Sequence, residues 1–379
     1  MKDGILVLNK PQNWTSHDCV AICRRVLRLK GVKKIGHGGT LDPMAEGVLP
    51  IFIGQATRIM EYLDLDYKTY TCRVQLGLTS DTQDIWGTVL DRKPFDGITE
   101  EQVREALAGF EGVIEQIPPA YSAVRIDGKR LYEYAYKGRT DEARELAKAA
   151  ARRIHVRQIT IHEIDMEQGT LCFTAECSKG TYIRTICADL GQRLGCGAVM
   201  TGLVRRAIGG ITLDGAAGSG ADVPAGGIAA GDSRQWRAVS GIAAGDSRQW
   251  RAVSPEEIKA MEGDPALLEQ LEGMLLAPDQ PLHRFGEVTM PADRAKYFRQ
   301  GNSIRLYQVR KVSPPRIEVD PLTGEIPCNA RGRRYDRIYR VYQQENGLFL
   351  GTGYEDPGQK VLKADKVFTA LNQPKNKRN

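Results

Sequence analysis

Between Gly36 and Leu49 the chain reads G-H-G-G-T-L-D-P-M-A-E-G-V-L, and few backbone conformations satisfy that order. Three glycines ahead of an acid make a loop that can come close to a ligand or another strand. Pro43 fixes the chain just after Asp42 and biases Asp42 itself towards extended geometry. The segment that follows, Val48 to Ile53, is apolar enough for a buried strand. A carboxylate held rigidly at the tip of such a loop suits nucleophilic or acid–base work. Taken alone, G-G-T-x-D-P also describes an ordinary turn in which Asp42 bonds its own backbone.

The surrounding pattern mixes strands and helices without a strict βαβ rhythm. Gly4–Asn9, Tyr67–Gly77, Ile159–Asp165, Leu171–Cys177 and Leu203–Ala207 read as strands. Ser16–Lys30, Thr99–Leu107 and Tyr182–Leu194 read as helices, the second opened by a capping box of Thr99 and Gln102. This order predicts an α+β fold with a mixed, largely antiparallel central sheet. With 379 residues, 41% of them hydrophobic, the chain can bury a large core. No apolar run approaches the roughly 20 residues that cross a bilayer, and Met1 to Pro11 has no signal-peptide core. Eight cysteines without a C-x-x-C pair give neither a zinc pattern nor a disulfide framework, which points to free thiols, a cytoplasmic setting and no metal.

From Gly215 the character changes. The stretch 215–254 is rich in Gly and Ala, and G-I-A-A-G-D-S-R-Q-W-R-A-V-S occurs at 227–240 and again at 241–254. So short a tandem copy reads as a surface insertion rather than a solenoid unit. Ser254, Pro255 and Glu257 then open a helix, and 255–283 reads as a helical connector. From about Phe285, short β-like runs separated by turns suggest a small separate β domain over 284–370, with a basic tail at 371–379. Charge is distributed unevenly. Met1 to Gly36 holds eight Lys/Arg against two acids, Lys360 to Asn379 six against one, and Pro255 to Gln280 seven acids against one lysine. Basic ends about an acidic hinge suit a polyanionic partner lying along the molecule.

Three further segments sharpen the reading of Asp42. They are Leu6-Asn9-Lys10-Pro11 with Thr15-Ser16, Lys68-Thr69-Tyr70-Thr71-Cys72, and Cys177-Ser178-Lys179-Gly180-Thr181-Tyr182-Ile183-Arg184-Thr185. Together with the glycine loop they resemble, in order, spacing and identity, the bacterial tRNA pseudouridine-55 synthases, the TruB family. The resemblance is dense over 1–214, the catalytic domain, and resumes towards the C-terminus. There Phe298–Asn302, Arg340–Tyr342 and Gly347–Gly353 look like a PUA-type β-barrel that binds RNA. It implies isomerisation of one uridine in the T-loop of tRNA, without a cofactor and without an obligatory protein partner. Asp42 matches the catalytic aspartate, Tyr70 the tyrosine that stacks on the target base, and Arg184 the arginine paired with the aspartate. His37, Gly39, Thr40, Lys10, Tyr182, Lys179 and Leu203 are the expected substrate-side residues, Lys10 as more structural than catalytic. Lys129 to Tyr134 resembles the start of an RNA-gripping thumb, an insertion at about 122–155. The acceptor stem is the expected contact of the C-terminal domain.

The sequence also departs from the family pattern. Asn13 replaces a usual glycine, and Thr140–Arg153 is helix-prone where relatives have a short linker. Two other functions share parts of this pattern. One is a guide-RNA-dependent pseudouridine synthase, against which the near-continuous bacterial-type match argues. The other is an RNA chaperone without chemistry, against which an intact Asp42, Tyr70 and Arg184 argues.

Overall fold

The computed structural model describes residues 3–28, 31–32, 34–213 and 251–368. The basic tail 371–379, and the duplicated segment apart from Arg251 to Ser254, lie outside them. In chain order the first part holds β1 (Gly4–Lys10), α1 (Ser16–Arg28), β2 (Ile35–His37), β3 (Glu46–Ile53), β4 (Lys68–Leu76), β5 (Leu78–Ser80), β6 (Val89–Arg92), α2 (Glu100–Ala108) and β7 (Gly112–Gln116). There follow β8 (Arg125–Ile126), β9 (Lys129–Arg130), α3 (Leu131–Ala135), α4 (Thr140–Ala149), β10 (Arg152–Asp165), β11 (Thr170–Cys177), α5 (Ile183–Leu194), β12 (Ala198–Ile208) and β13 (Ile211–Thr212). After the break come α6 (Pro255–Ala260), α7 (Pro265–Gly273), β14 (Gly286–Met290), α8 (Ala292–Arg299), β15 (Ile304–Arg305), β16 (Arg310–Ser313), β17 (Ile338–Gln343), β18 (Phe349–Asp356) and β19 (Val361–Val367).

Nine strands form one sheet in the order β1-β3-β12-β4-β11-β10-β7, with β2 on β3 and β13 on β12. Only the β12–β3 pairing is parallel, so the mixed, largely antiparallel sheet expected from the sequence is the one that forms. β3 is buried over seven of its eight residues, in keeping with its continuous apolar run. Further along the sheet, β4 and β11 alternate, sending Cys72, Val74, Phe173 and Ala175 into a core shared with Ile186 and Leu190 of α5 and Leu107 of α2. Helix α1 buries Cys19, Val20, Cys23 and Leu27 against β1 and β3. Thr99 caps α2 through the expected box with Gln102.

Strand β1 lies at the sheet edge, where unpaired backbone invites association. Two later segments cover it. Asn9 N donates to Val253 O at 2.9 Å, and Ile5 N donates to Leu276 O at 3.0 Å. Val253, in the last residues of the second repeat copy, is fully buried. Ser254 then caps α6 with Glu257, with Pro255 in the first turn.

The C-terminal strands form a second, six-stranded sheet in the order β15-β19-β18-β17-β14-β16, a curled half-barrel packed around Val288, Phe298, Val341, Leu350 and Leu362. It does not stand apart from the first sheet. Phe285, Tyr335, Tyr342, Phe349 and Phe368 share one core with Ile5, Val7, Phe52 and Tyr62. Polar ties cross the same boundary. Tyr62 OH donates to Asp365 Oδ2 at 2.7 Å, and the buried Asp66 pairs with Arg284.

Residues 125–149 form a short hairpin followed by two helices. Asp127 and Gly128, both at positive φ, turn the β8–β9 hairpin as an Asp-Gly pair should. The helix-prone stretch after Arg139 is α4, packed on α3 through Ala143 and Ala135. All eight cysteines are free and seven are buried. No described helix is long and apolar enough to cross a membrane.

Candidate active site

Asp42 stands in the loop between β2 and β3 with its side chain 44% exposed. The loop around it is clamped from four directions. Ser16 Oγ accepts from Leu41 N at 2.9 Å and donates to Leu41 O at 3.2 Å. The ammonium of Lys10 donates to Pro43 O at 3.0 Å, and to Trp14 O and Pro11 O at 2.6 and 2.8 Å. Ala45 N donates to Asp42 O at 3.1 Å. Arg205, fully buried, donates to Gly39 O at 2.9 Å, Thr40 O at 3.3 Å and Val48 O at 2.8 Å. The carboxylate is thus presented by a backbone that has little freedom of its own.

Two glycines are required by this geometry. Gly39 has φ +81° and lies against the Arg205 guanidinium, and Gly47 has φ +105°. A Cβ on Gly47 would fall 2.2 Å from Arg205 O, because β12 runs parallel to β3 with Arg205 opposite Gly47.

Arg184, in the first turn of α5, meets Asp42 with Nε 3.0 Å from Oδ2. It is a charge contact without hydrogen-bond alignment. The guanidinium is 6% exposed; Nη1 donates to Thr82 O at 3.0 Å and Nη2 to Tyr121 O at 3.2 Å. A second carboxylate, Asp84, lies 3.8 Å from Nη1. Burial raises its pKa, opposed by bonds from Thr82 and the Arg184 charge. Tyr70 is buried in β4, directly across from Arg205 in β12. Burial pushes its hydroxyl pKa up, against the hydrogen bond and charge of Arg205, and the Asp42 charge is near enough to be felt there. At neutral pH Tyr70 is therefore a neutral phenol beside a carboxylate.

Of the three residues singled out from the sequence, Asp42 and Arg184 form an ion pair, and Tyr70 lies near enough to feel the Asp42 charge. Gly39 and Thr40 are exposed on the loop. His37 is half-buried, with its ring 5.6 Å from that of His17; burial lowers its pKa, so its imidazole is neutral at pH 7. Lys179 is exposed on the turn before α5. Tyr182 accepts Arg152 over its ring at 5.1 Å, and its backbone is held on both sides by Gln116. Lys10 and Leu203, expected on the substrate side, are buried: Lys10 completely and Leu203 to 7% exposure in the core with Tyr70. Every bond of the Lys10 amine goes to loop carbonyls, so its work is to hold the loop. A 230 Å³ cleft lined by His37, Gly39 and Lys68 opens beside it. Among the described residues no three His, Cys, Asp or Glu side chains gather as a metal site.

Sequence reasoning missed Arg205 and Asp84. An arginine in an apolar strand reads by default as solvent-facing, and Ser80-Asp81-Thr82-Gln83-Asp84 reads as a plain turn. The one signal available was two acids spaced by three in a polar stretch directly after a strand.

The overall fold matches chains of solved RNA–protein and protein complexes. An H/ACA RNP bound to a substrate RNA containing 2′-deoxyuridine superposes with TM-score 0.61, covering 98% of this chain and 87% of that one at 18% identity. A Cbf5-Nop10-Gar1 complex gives the same score at 19% identity. At such identities the likeness speaks for the fold alone. Sequence carries the assignment further. Residues 24–183 match the model of the TruB family pseudouridylate synthase N-terminal domain. The tRNA pseudouridine synthase B of Bacillus licheniformis is 44% identical over 223 residues, 56% of this chain and 68% of the relative. That of Synechocystis sp. is 43% identical over 221 residues, 57% and 70% of the two chains. These sequence relatives define an RNA-modifying isomerase. The chain belongs to the TruB family of pseudouridylate synthases and converts uridine in tRNA to pseudouridine.

Proposed function

We propose that Asp42 is the carboxylate that reacts, and that its target is a uridine in the T-loop of tRNA. The observation that supports this best is the contrast within one ion pair. Asp42 is half in solvent at the tip of a clamped loop, while its partner Arg184 is almost wholly buried and tied to two carbonyls. The arginine is a fixed post, and the carboxylate is the accessible group it aims.

The reaction breaks the N1–C1′ bond, joins C1′ to C5 and releases the C5 proton while N1 gains one, so atoms and electrons balance without a cofactor. Ionised Asp42 attacks either uracil C6 or ribose C1′. In this reading the ring of Tyr70 offers the flipped base a flat face, and its hydroxyl is the group that assists removal of the C5 proton. Extruding the base costs a few kcal/mol of stacking, and an aromatic face returns about 1–3 kcal/mol. Arg130, Lys129 and Arg139 lie over Tyr132 and Tyr134 at 5.3–5.9 Å, a basic and aromatic surface suited to gripping the T-arm. The C-terminal half-barrel is read as a PUA-like module reaching towards the acceptor stem, in a cytoplasmic enzyme that needs no partner protein.

Purified protein incubated alone with an unmodified tRNA transcript should form pseudouridine at the T-loop uridine. Asp42→Asn should bind the tRNA and form none. Arg184→Lys should be nearly as inactive, because a point charge does not reproduce the planar guanidinium and its fixed bonds. Turnover by Asp42→Asn, or a requirement for a guide RNA, would refute the proposal.

A further inference from the structure

The loop between β5 and β6 carries more than Asp84. Among the described residues eleven large apolar side chains are exposed, and four of them occupy six consecutive positions: Ile85 (38%), Trp86 (39%), Val89 (38%) and Leu90 (55%). The backbone beneath them is stiff. Ile85 N donates to Met200 O at 2.9 Å, Trp86 N to Asp84 Oδ1 at 3.1 Å, and Thr88 N to Asp81 Oδ1 at 2.7 Å. The loop's acids turn inward, since Asp81 also accepts from Tyr121 OH and Asp84 from Thr82 Oγ1. Two cations, Arg92 and Lys93, stand exposed where the hairpin returns, Lys93 in a solvent-exposed 3.7 Å pair with Asp91 that a phosphate can displace. They line a 640 Å³ cleft together with Ile85 and Phe95.

A chain of polar contacts joins this loop to the Asp42–Arg184 pair. Trp86 binds Asp84 through its amide, Asp84 lies 3.8 Å from Arg184, and Arg184 lies 3.0 Å from Asp42. An RNA whose uridine reaches Asp42 must place its neighbouring nucleotides close by. Flipping that uridine strips a stacking partner from the bases beside it. We infer that Trp86 is the stacking platform for the base of a nucleotide flanking the target uridine, with Arg92 and Lys93 taking its phosphates. Stacking on an aromatic needs no particular base, so the platform serves every tRNA alike. The positive charge at its edge favours RNA over an apolar protein surface as the occupant.

The inference rests on Asp42 as the reacting carboxylate and is tested with the full-length protein and a T-arm hairpin transcript. Trp86→Ala should raise KM about tenfold with kcat within about threefold, the signature of lost binding shared by ground and transition states. Trp86→Phe, which keeps an aromatic face, should stay within about threefold of wild type on both. Hairpins with one abasic nucleotide at each loop position then locate the partner. One position should cost the wild type about tenfold and cost Trp86→Ala nothing more, since the two changes remove one interaction. An unchanged KM for Trp86→Ala, or the same abasic penalties in both proteins, overturns the inference. If KM is unchanged and RNA-free Trp86→Ala sediments as a smaller species than wild type, the patch seats a second copy of the chain instead. Failure of the T-loop reading shows separately, as wild-type protein making no pseudouridine at that uridine. The same comparison then runs on whichever tRNA uridine the wild type converts.

Discussion

A buried ammonium beneath the Asp42 loop has a measurable signature. Burial lowers the pKa of Lys10 from 10.5 to about 8, the nearby charges of Glu46 and Asp42 opposing it. Below pH 8 both folded and unfolded chains hold the proton, and the desolvation of the ammonium weighs fully against folding. Between pH 8 and 10.5 the unfolded chain keeps a proton that the folded one has lost, so stability rises with pH. The span corresponds to about 3 kcal/mol. Lys10→Met removes the titration, so wild type should gain on the variant by roughly that amount between pH 7.5 and 10.5 in urea unfolding. A constant difference across that range would show that the amine does not titrate within the fold. The Asp42–Arg184 pair was legible because each residue sits in a short run whose order and spacing identify it. Arg205 was not, because what defines it is the set of carbonyls it meets, and those lie more than 150 residues away in the chain. The same holds for Lys10, whose lysine code says nothing of the Pro43 carbonyl it serves.

At the scale of elements, local chemistry foretold most of what forms. Both capping boxes, the alternation of β4 and β11 and the helix after Arg139 follow from neighbours in sequence. The segments on the outer edge of β1 do not, since Val253 and Leu276 come from segments that carry no strand signal. The repeat gives this a direct test. Arg237-Ala238-Val239-Ser240 has the same residues as Arg251-Ala252-Val253-Ser254. Deleting 241–254 therefore restores the same four residues ahead of Pro255, and with them both the seat on β1 and the cap of α6. Turnover should be unchanged and the melting temperature nearly so, because loop length enters only logarithmically, about 0.6 kcal/mol per doubling. A loss above about 2 kcal/mol would show that the removed residues pack against the fold, since surface changes usually stay within about 0.5 kcal/mol.

For the whole molecule, the shared core decides how far the two sheets can be treated as separate parts. The sequence suggested a detachable C-terminal domain, and its half-barrel does have its own centre. Yet Tyr335, Tyr342, Phe349 and Phe368 also complete the core over Ile5, Val7 and Phe52. Ending the chain near Pro278 should therefore expose that apolar face, and the remainder should melt at least about 10 °C lower or aggregate. Wild-type melting of the shortened protein would show the two parts to be independent. The coverage of β1 sets a timetable as well. Its edge waits for Leu276, some 270 residues downstream, and at about 5–20 residues per second a ribosome takes tens of seconds to supply it. For that interval one of the most apolar strands in the protein is held on β3 alone with its outer backbone unsatisfied, so the nascent chain, far more than the finished enzyme, is the form that a chaperone or a stray strand can capture.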